Sequence, residues 1–305
     1  MPHNSTPPLT KEVIAHALSK SSASSAPGPN GIPYLTWKQV NPINPSILPQ
    51  ILSPVLSVAY YLASLTVANA VVLDNLGKPW YESLSSFTII VLLRTVSKIV
   101  ERIIVVHLIL AARSRGLIHP NQCGSLAGLS TYDACLTLMN DVKTLQRPRL
   151  KVSSLFLDIK AGFDNVDNPT LARILREGGI HHNLVSWVAS FLGERSCTQV
   201  FQGAPGTPPP VKVGAPQGSP ISPFLFLIYV APRHFRIPRG LMLSSVEDFA
   251  LTAASLSYRG NIRRLHELVR TIQARAVCLG ISFSVLKTEL IHCRTPSQRH
   301  SQLCL

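Results

Sequence analysis

Three acidic residues in this chain have side chains and positions that could together hold divalent cations. Asp158 ends an apolar run, and Glu247 and Asp248 lie together on a turn between two further apolar runs. Nucleotidyl transfer uses two divalent cations, which lower the pKa of the attacking hydroxyl and stabilise charge on the phosphoryl oxygens. Magnesium prefers hard oxygen ligands such as carboxylates. We therefore expect a metal site at Asp158, Glu247 and Asp248 if their strands meet.

Each of these signals is weak when taken alone. A single Asp after an apolar strand more often caps a helix or a turn, and a Glu-Asp pair in a turn is more often solvated. The stretch Gly214-Ala-Pro-Gln-Gly-Ser-Pro could by itself be a loop before a helix. The combination, in this order along one chain, is far more specific than its parts.

Apolar periodicity predicts the elements that would position these residues. Strands are expected at 67–73, 87–92, 153–159, 197–202, 211–213, 241–246, 249–252, 281–284 and 289–292. Helices are expected through 34–65, with breaks at prolines, and at 95–115, 130–145, 168–177, 183–192, 222–230 and 261–279. The mixture lacks a regular βαβ alternation, so the expected fold class is α+β, an antiparallel sheet backed by helices.

The helix expected at 95–115 has an amphipathic pattern. Its apolar stripe includes Val96, Ile99 and Ile103. Three charged residues fall between the apolar positions and are expected on the water-exposed face: Lys98, Glu101 and Arg102.

The charge balance favours a polyanionic partner. The chain has 29 basic and 15 acidic residues and a formal net charge of +14. Lys and Arg that bind phosphates release condensed counterions, so a basic protein suits nucleic acid. From Arg259 to Arg299 the basic residues far outnumber the acidic ones. A solvated helix face is the competing interpretation of that segment.

Cysteine spacing and hydropathy argue against a zinc-binding, a disulfide-rich, a secreted or a membrane-spanning protein. The six cysteines form neither close zinc-ligand pairs nor a disulfide framework, so reduced thiols and an intracellular location are expected, nuclear or cytoplasmic. The N-terminus lacks the pattern of a signal peptide. Residues 51–73 are long enough to span a bilayer, but Pro54 and Asn69 interrupt them, which favours a buried helix over a membrane span.

Five motifs together resemble the reverse transcriptase domain of a non-LTR (LINE-type) retrotransposon of the sort widespread in fungi. They lie at 26–33, 85–103, 155–166, 214–220 and 244–250, and a further palm motif follows at 280–292. The resemblance covers roughly residues 26–300. Group II intron maturases and telomerase-like enzymes have the same arrangement of palm motifs and remain alternative families.

The resemblance implies a right-hand polymerase with fingers and palm and with the thumb largely missing. It implies an N-terminal extension and fingers at 34–150 and a truncated tail at 296–305. The serine-, proline- and glycine-rich composition of the first residues separately predicts a flexible segment at 1–33. The palm would occupy 151–295 and would include part of the fingers between its first two motifs.

Roles follow from the resemblance residue by residue. Asp158, Glu247 and Asp248 would be the catalytic metal ligands, with Mg²⁺ as the ion and Mn²⁺ as an alternative. Among the nucleotide-binding residues, Phe163 would be the aromatic that excludes ribose, and Gln217 and Gly218 would pack under the template base and the incoming nucleotide. Lys287 would be the cation or acid on the pyrophosphate side, and Lys78 would partly substitute for a missing arginine.

The chain departs from the family in its catalytic turn and in its fingers. Ser245 and Glu247 replace the family's Tyr and first Asp, and Thr88 replaces an Arg. The expected function is RNA-directed DNA synthesis from RNA template, DNA primer and deoxynucleoside triphosphates, weakened or lost through decay. A nucleic-acid-binding remnant without catalysis and a membrane protein are the alternatives, and the oligomeric state is left open.

Overall fold

The computed structural model describes residues 9–75, 77, 86–126, 128–146, 150–193, 195–201, 204–205, 209–231 and 240–293. The chain divides into two compact units. The first unit combines residues 1–117 with 163–229, and the second combines 118–162 with 230–305. The domain boundaries expected from the family resemblance remain predictions.

The first unit is built from helices and one sheet. Its helices are α1 (Lys11–Ser19), α2 (Tyr34–Ile43), α3 (Ile47–Ser57), α4 (Thr95–Ser114), α6 (Asn168–Glu177), α7 (His182–Leu192) and α8 (Ser222–Val230). Its strands are β1 (Val67–Asp74), β2 (Phe87–Leu92), β5 (Arg195–Phe201), β6 (Ala204–Pro205) and β7 (Pro210–Val211). Strands β1 and β2 form an antiparallel hairpin, whereas β1 pairs with β5 in parallel.

Aromatic packing anchors the core of this unit. Tyr61 packs edge-on against Trp187 and Phe191, with ring centroids 5.5 and 5.1 Å apart, and the latter two rings are stacked. All three side chains are almost fully buried. Large aromatic rings bury much apolar area per residue, so this cluster accounts for much of the unit's stability.

Two expectations for the first unit are wrong. The N-terminal segment was expected to be loosely ordered, but α1 forms there, capped by Thr10 and burying Ile14 and Leu18. The charged residues of α4 were expected to face water, but Lys98 is 8% exposed and Glu101 is 0% exposed. Helix α4 is buried around most of its circumference, so charged positions that periodicity assigns to solvent are covered by other segments.

The second unit contains the sheet that carries the acidic residues. Its strands are β3 (Gln122–Cys123), β4 (Lys151–Lys160), β8 (Gly240–Ser245), β9 (Asp248–Ser255), β10 (Ser282–Phe283) and β11 (Glu289–Cys293). Their order is β10-β4-β9-β8-β3, and β11 also pairs with β4. All pairings are antiparallel except the short β3–β8 contact, which is parallel. Helices α5 (Thr131–Leu145) and α9 (Tyr258–Cys278) complete the unit.

The expected α+β class with an antiparallel-rich sheet is confirmed. The segment weighed as a membrane span, 51–73, contains the C-terminal part of α3 and all of β1 except its last residue. Among the helices in the described part of the chain, none has both the length and the apolar character to cross a membrane.

Candidate active site

Asp158 and Asp248 lie directly opposite each other on neighbouring strands. The β4–β9 ladder runs in unbroken antiparallel register from Lys151–Ser255 to the Asp158–Asp248 pair. Side chains of directly opposed residues share one face of a sheet. The apolar runs that preceded each acid in the sequence are therefore the buried strands that bring the two carboxylates together.

The tight turn between β8 and β9 holds Glu247 beside the same strand end. Val246 in this turn has a φ of 55°, in the left-handed region. The Glu247 carbonyl accepts a hydrogen bond of 3.1 Å from the backbone N–H of Ile159. The backbones of Asp158, Glu247 and Asp248 thus meet at one edge.

A lysine forms an ion pair with one of the acidic residues at this edge. Lys287 Nζ lies 3.0 Å from Asp158 Oδ2. The lysine ends a short 3₁₀ turn, Val285–Lys287, and Ser284 before that turn donates its N–H to the Asp158 carbonyl at 2.8 Å. Lys287 was expected on the pyrophosphate side of a nucleotide. Here its ammonium is the counter-ion of a candidate metal ligand.

The pKa of Asp248 is raised above its ordinary value. Partial desolvation at the strand end is the main cause, although the side chain is solvent-exposed, and the negative charge of Asp158 adds to it. The ammonium of Lys287 acts in the opposite direction. A raised carboxylate pKa beside a like charge is typical of functional sites, where a cation relieves the repulsion.

The donor chemistry of the Asp158–Asp248 pair fits a hard divalent cation, because both residues offer carboxylate oxygens on one face of the sheet. Among the described residues, no group of three or more His, Cys, Asp or Glu side chains is arranged to hold a metal ion. Ligation by Glu247 therefore stays a prediction.

The glycine-rich motif forms a tightly held loop in the first unit. The N–H of Ala215 donates to the Phe163 carbonyl at 2.7 Å, and the N–H of Gly214 donates to the Val166 carbonyl at 2.9 Å. The Gln217 carbonyl accepts from the N–H of Val91 on β2 at 2.7 Å. The loop is thereby fixed to the segment after Gly162 and to the β1–β2 hairpin.

Gly218 is required by this close approach. Its φ is 119°, and a Cβ atom added there would lie 2.5 Å from the carbonyl oxygen of Val91. Contacts that short are not tolerated, so a side chain at this position would displace the loop from β2. Proximity to the β2 backbone is sufficient to account for this glycine.

Two buried charged residues support the loop, and neither role was predicted from the sequence. Glu101 on α4 accepts hydrogen bonds from the hydroxyls of Ser97, at 2.7 Å, and of Ser219 in the loop. Burial raises the pKa of Glu101, against the lowering effect of these hydrogen bonds. Arg195 is buried as well, and its Nη2 donates to the Val213 carbonyl at 3.2 Å. Burial lowers the pKa of Arg195 to about 10.

No local signal identified these residues. Ser97 and Glu101 are four positions apart, a spacing that places them on one side of a helix, but the contact with Ser219 joins residues 118 positions apart.

The other expected nucleotide-binding residues lie as follows. Phe163 is half-buried, and its ring packs against Phe226 with centroids 5.0 Å apart. Thr88 Oγ1 donates to Asn75 Oδ1 at 2.6 Å, so it is committed within the β1–β2 hairpin. Lys78 lies outside the described residues.

A family model described as reverse transcriptase (RNA-dependent DNA polymerase) matches residues 78–302. The chain is 26% identical over 216 residues to a probable RNA-directed DNA polymerase from transposon X-element of Drosophila melanogaster, covering 71% of this chain and 24% of that protein. It is 24% identical over 277 residues to the corresponding protein from transposon BS of the same species, covering 88% and 30%.

A solved structure of apo telomerase from Candida tropicalis, truncated from its C-terminal domain, shares the fold. It covers 77% of this chain and 51% of its own, with a TM-score of 0.50 and 14% sequence identity. The chain spans only 24–30% of the length of the first two curated relatives. Together with the sheet that pairs Asp158 and Asp248, these matches identify the chain as a member of the reverse transcriptase (RNA-dependent DNA polymerase) family, a domain of the non-LTR retrotransposon type.

Proposed function

We propose that this domain performs RNA-directed DNA synthesis, with Asp158 and Asp248 as the ligands of its catalytic cations. The observation that carries the proposal is their direct opposition in the β4–β9 ladder. Carboxylates from separate strands that meet at one edge are what a two-metal nucleotidyl transferase requires. The substrates would be deoxynucleoside triphosphates, and the partners an RNA template and a DNA primer.

Mg²⁺, or Mn²⁺ in its place, would supply charge stabilisation at the phosphoryl group and activation of the primer hydroxyl. Asp158 and Asp248 would hold the ions. Lys287 neutralises Asp158 across 3.0 Å, and its exposed ammonium is free to turn toward a phosphate when the carboxylate binds a cation. The lysine would thus hold the site together before substrate arrives.

The loop at 214–219 and Phe163 would position the nucleotide. The loop is held by backbone hydrogen bonds on both sides, so it offers a rigid surface under a base pair. Phe163 is partly exposed, as a side chain that contacts the sugar must be. Rigid positioning of this kind supplies much of the rate enhancement in phosphoryl transfer.

Glu247 is the residue of the proposed site whose side chain is least suited to holding the catalytic cation. Its additional methylene moves the carboxylate outward by about one bond length relative to Asp. A misplacement of about 1 Å can lower a rate about a hundredfold. We therefore propose that catalysis is slow in the natural sequence.

Primer extension on an RNA template, with Mg²⁺ and then Mn²⁺, tests this proposal. We expect slow extension by the natural chain and extension faster by about a hundredfold in the Glu247→Asp variant, because the shorter side chain restores the ligand position. Glu289→Gln, which alters an exposed carboxylate on β11, should leave extension unchanged. Failure of both the natural chain and Glu247→Asp to extend, with either ion, would contradict the proposal.

The second candidate function is nucleic-acid binding without synthesis. It is favoured by Glu247 at the ligand position and by Thr88 in place of the family's Arg, together with the net charge of +14. Salt-sensitive binding of a primed template, without extension by any variant, would support this candidate.

A further inference from the structure

We propose that the outer face of α9 binds the phosphate backbone of a nucleic acid, at a distance from the catalytic edge. The surface consists of Arg259, Arg263, His266 and Arg270, here called the α9 stripe. The proposal depends on the proposed function only for the choice of nucleic acid as the polyanion.

The four residues of the α9 stripe lie on one side of the helix. Steps of four, three and four residues keep its members within one narrow sector of a helix with 3.6 residues per turn. All four residues are exposed. The opposite side of α9 carries the buried residues Asn261, Leu265, Ile272 and Ala276. Since that side packs on β4 and β9, the α9 stripe faces away from the sheet.

The charges of the α9 stripe are not neutralised by the surrounding described residues. Among the described residues, none of its arginines has an ion-pair partner within 4.0 Å. Glu267, the acid of α9, lies at the edge of the sector rather than within it. A solvated face more often alternates charges, as Arg173 and Glu177 do on α6, where they form a 3.0 Å ion pair.

The dimensions of the α9 stripe suit a nucleic-acid strand. Eleven residues separate Arg259 from Arg270, which corresponds to about 16 Å along the axis. Phosphates on one strand of a duplex follow each other at about 3.4 Å along the axis, so the α9 stripe spans about five of them. Three arginines over this length can contact two or three phosphates of one strand.

A cavity extends this surface at the N-terminal end of α9. It has a volume of about 820 Å³, and its lining includes two arginines and one acid, Arg263, Arg264 and Glu267, together with Ser255 and Ser257. Arg264 donates from Nη1 to the Ala254 carbonyl at 2.7 Å, which fixes its guanidinium at the end of β9. The basic surface therefore continues from the helix into a concave, partly polar region.

The α9 stripe begins at the opposite end of the strands from the catalytic edge. Asn261, on the inner side of the first turn of α9, donates to the Lys151 carbonyl at 2.9 Å, and Lys151 is the first residue of β4. Asp158 is seven residues further along that strand, about 23 Å at 3.3 Å per residue. The α9 stripe faces away from the sheet, so nucleic acid bound there would occupy a surface separate from the Asp158–Asp248 pair.

The test is equilibrium binding of an RNA–DNA duplex by the full chain over a range of salt concentrations. A stripe variant combines Arg259→Gln, Arg263→Gln and Arg270→Gln. A charge-matched control combines Lys11→Gln, Lys20→Gln and Arg176→Gln, at exposed positions at the start of α1, directly after α1 and in α6. Both variants should unfold at the temperature of the natural chain, because exposed substitutions change the free energy of unfolding by less than about 0.5 kcal/mol.

We expect the stripe variant to bind more weakly than the control and to lose about 2 to 3 from the slope of log affinity against log salt, since each phosphate contact contributes about 0.9. Equal affinities and slopes for the two variants would overturn the proposal. So would a stripe variant that keeps duplex binding but loses binding to vesicles containing phosphatidylserine, which would identify a membrane surface instead.

Binding does not require synthesis, so this result is independent of catalysis. An Asp158→Asn variant should bind the duplex with the natural salt slope while losing extension. The natural chain could fail to extend a primer while the stripe variant still shows a smaller slope of log affinity against log salt. That result would contradict the proposed catalytic function and would support nucleic-acid binding by the α9 stripe.

Discussion

At the scale of single residues, Glu101 has the most unusual environment in the first unit. It is 0% exposed, yet it carries a carboxyl group whose two oxygens each accept a hydrogen bond from a serine hydroxyl. Burying a charge without full compensation is costly, so the protonated form is favoured and the pKa is raised. The residue links α4 directly to the loop that contains Gln217 and Gly218.

This environment predicts a pH-dependent stability. A carboxyl group whose pKa rises on folding stabilises the fold below its unfolded-state pKa, and that contribution is lost as the pH rises through the folded-state pKa. We expect the free energy of unfolding to fall with rising pH above the ordinary glutamate value, and this component to be missing in Glu101→Gln. Denaturant titration of both proteins across this pH range measures the difference. Parallel profiles would show that Glu101 does not titrate on folding.

Gly218 gives a second prediction at this scale. Gly218→Ala should lower the free energy of unfolding by more than the strain of about 1–3 kcal/mol expected for its backbone conformation, because its Cβ would lie 2.5 Å from the Val91 oxygen.

Gly31→Ala is the matched control for Gly218→Ala. It also has a positive φ, of 67°, but no atom lies within 4 Å of its added Cβ. Thermal unfolding that shifts equally in the two variants would mean that the contact with Val91 is not decisive.

At the scale of elements, a buried asparagine attaches α9 to the sheet. Asn261 Nδ2 donates to the Lys151 carbonyl at 2.9 Å and to Ser153 Oγ at 3.0 Å. Ser153 Oγ also contacts His292 Nδ1 at 2.8 Å, so one network joins α9, β4 and β11. These elements hold β4, the strand that carries Asp158.

Asn261→Ala should therefore lower the free energy of unfolding by about 1–3 kcal/mol, the cost of leaving buried polar groups unsatisfied. Gln273→Ala, at an exposed position of the same helix, should change it by less than about 0.5 kcal/mol. Chemical denaturation compares the two. Similar effects from both would indicate that the network contributes nothing beyond helix propensity.

Most elements were predictable because their signals are local. The predicted helices at 168–177 and 222–230 match α6 and α8, and the apolar runs around Asp158 and Glu247 match β4, β8 and β9. Strand β3 was missed because two residues carry no periodicity. Helix α1 was missed although Thr10 is a good N-cap, because the serine- and proline-rich residues after it dominated the prediction.

The rest of the site could not be predicted because its contacts are non-local. The ion pair between Lys287 and Asp158 and the hydrogen bond between Ser219 and Glu101 each join residues more than 100 positions apart. The apolar periodicity of α4 predicted that Glu101 faces solvent, because the pattern of a single helix does not show which other segments pack against it. Only the packing of other segments on α4 reverses that assignment.

At the scale of the whole molecule, charge and carboxylate placement serve different parts of the proposed function. The net charge of +14 suits a long polyanion. The acidic residues that matter are concentrated at one strand end, where Asp158 and Asp248 face each other. A basic protein that brings two carboxylates together pays an electrostatic cost there, and a bound cation would remove it.

The most direct test of this account is the binding of Mn²⁺, followed by electron paramagnetic resonance, to the natural chain and to Asp158→Asn, Asp248→Asn and the double variant. We expect each single substitution to weaken binding at least about tenfold, which is about 1.4 kcal/mol. The double variant should be little weaker than either single one, because both ligands serve one site. Glu289→Gln should bind as the natural chain does. Unchanged affinity in Asp158→Asn and Asp248→Asn would contradict the claim that these two residues form a cation site.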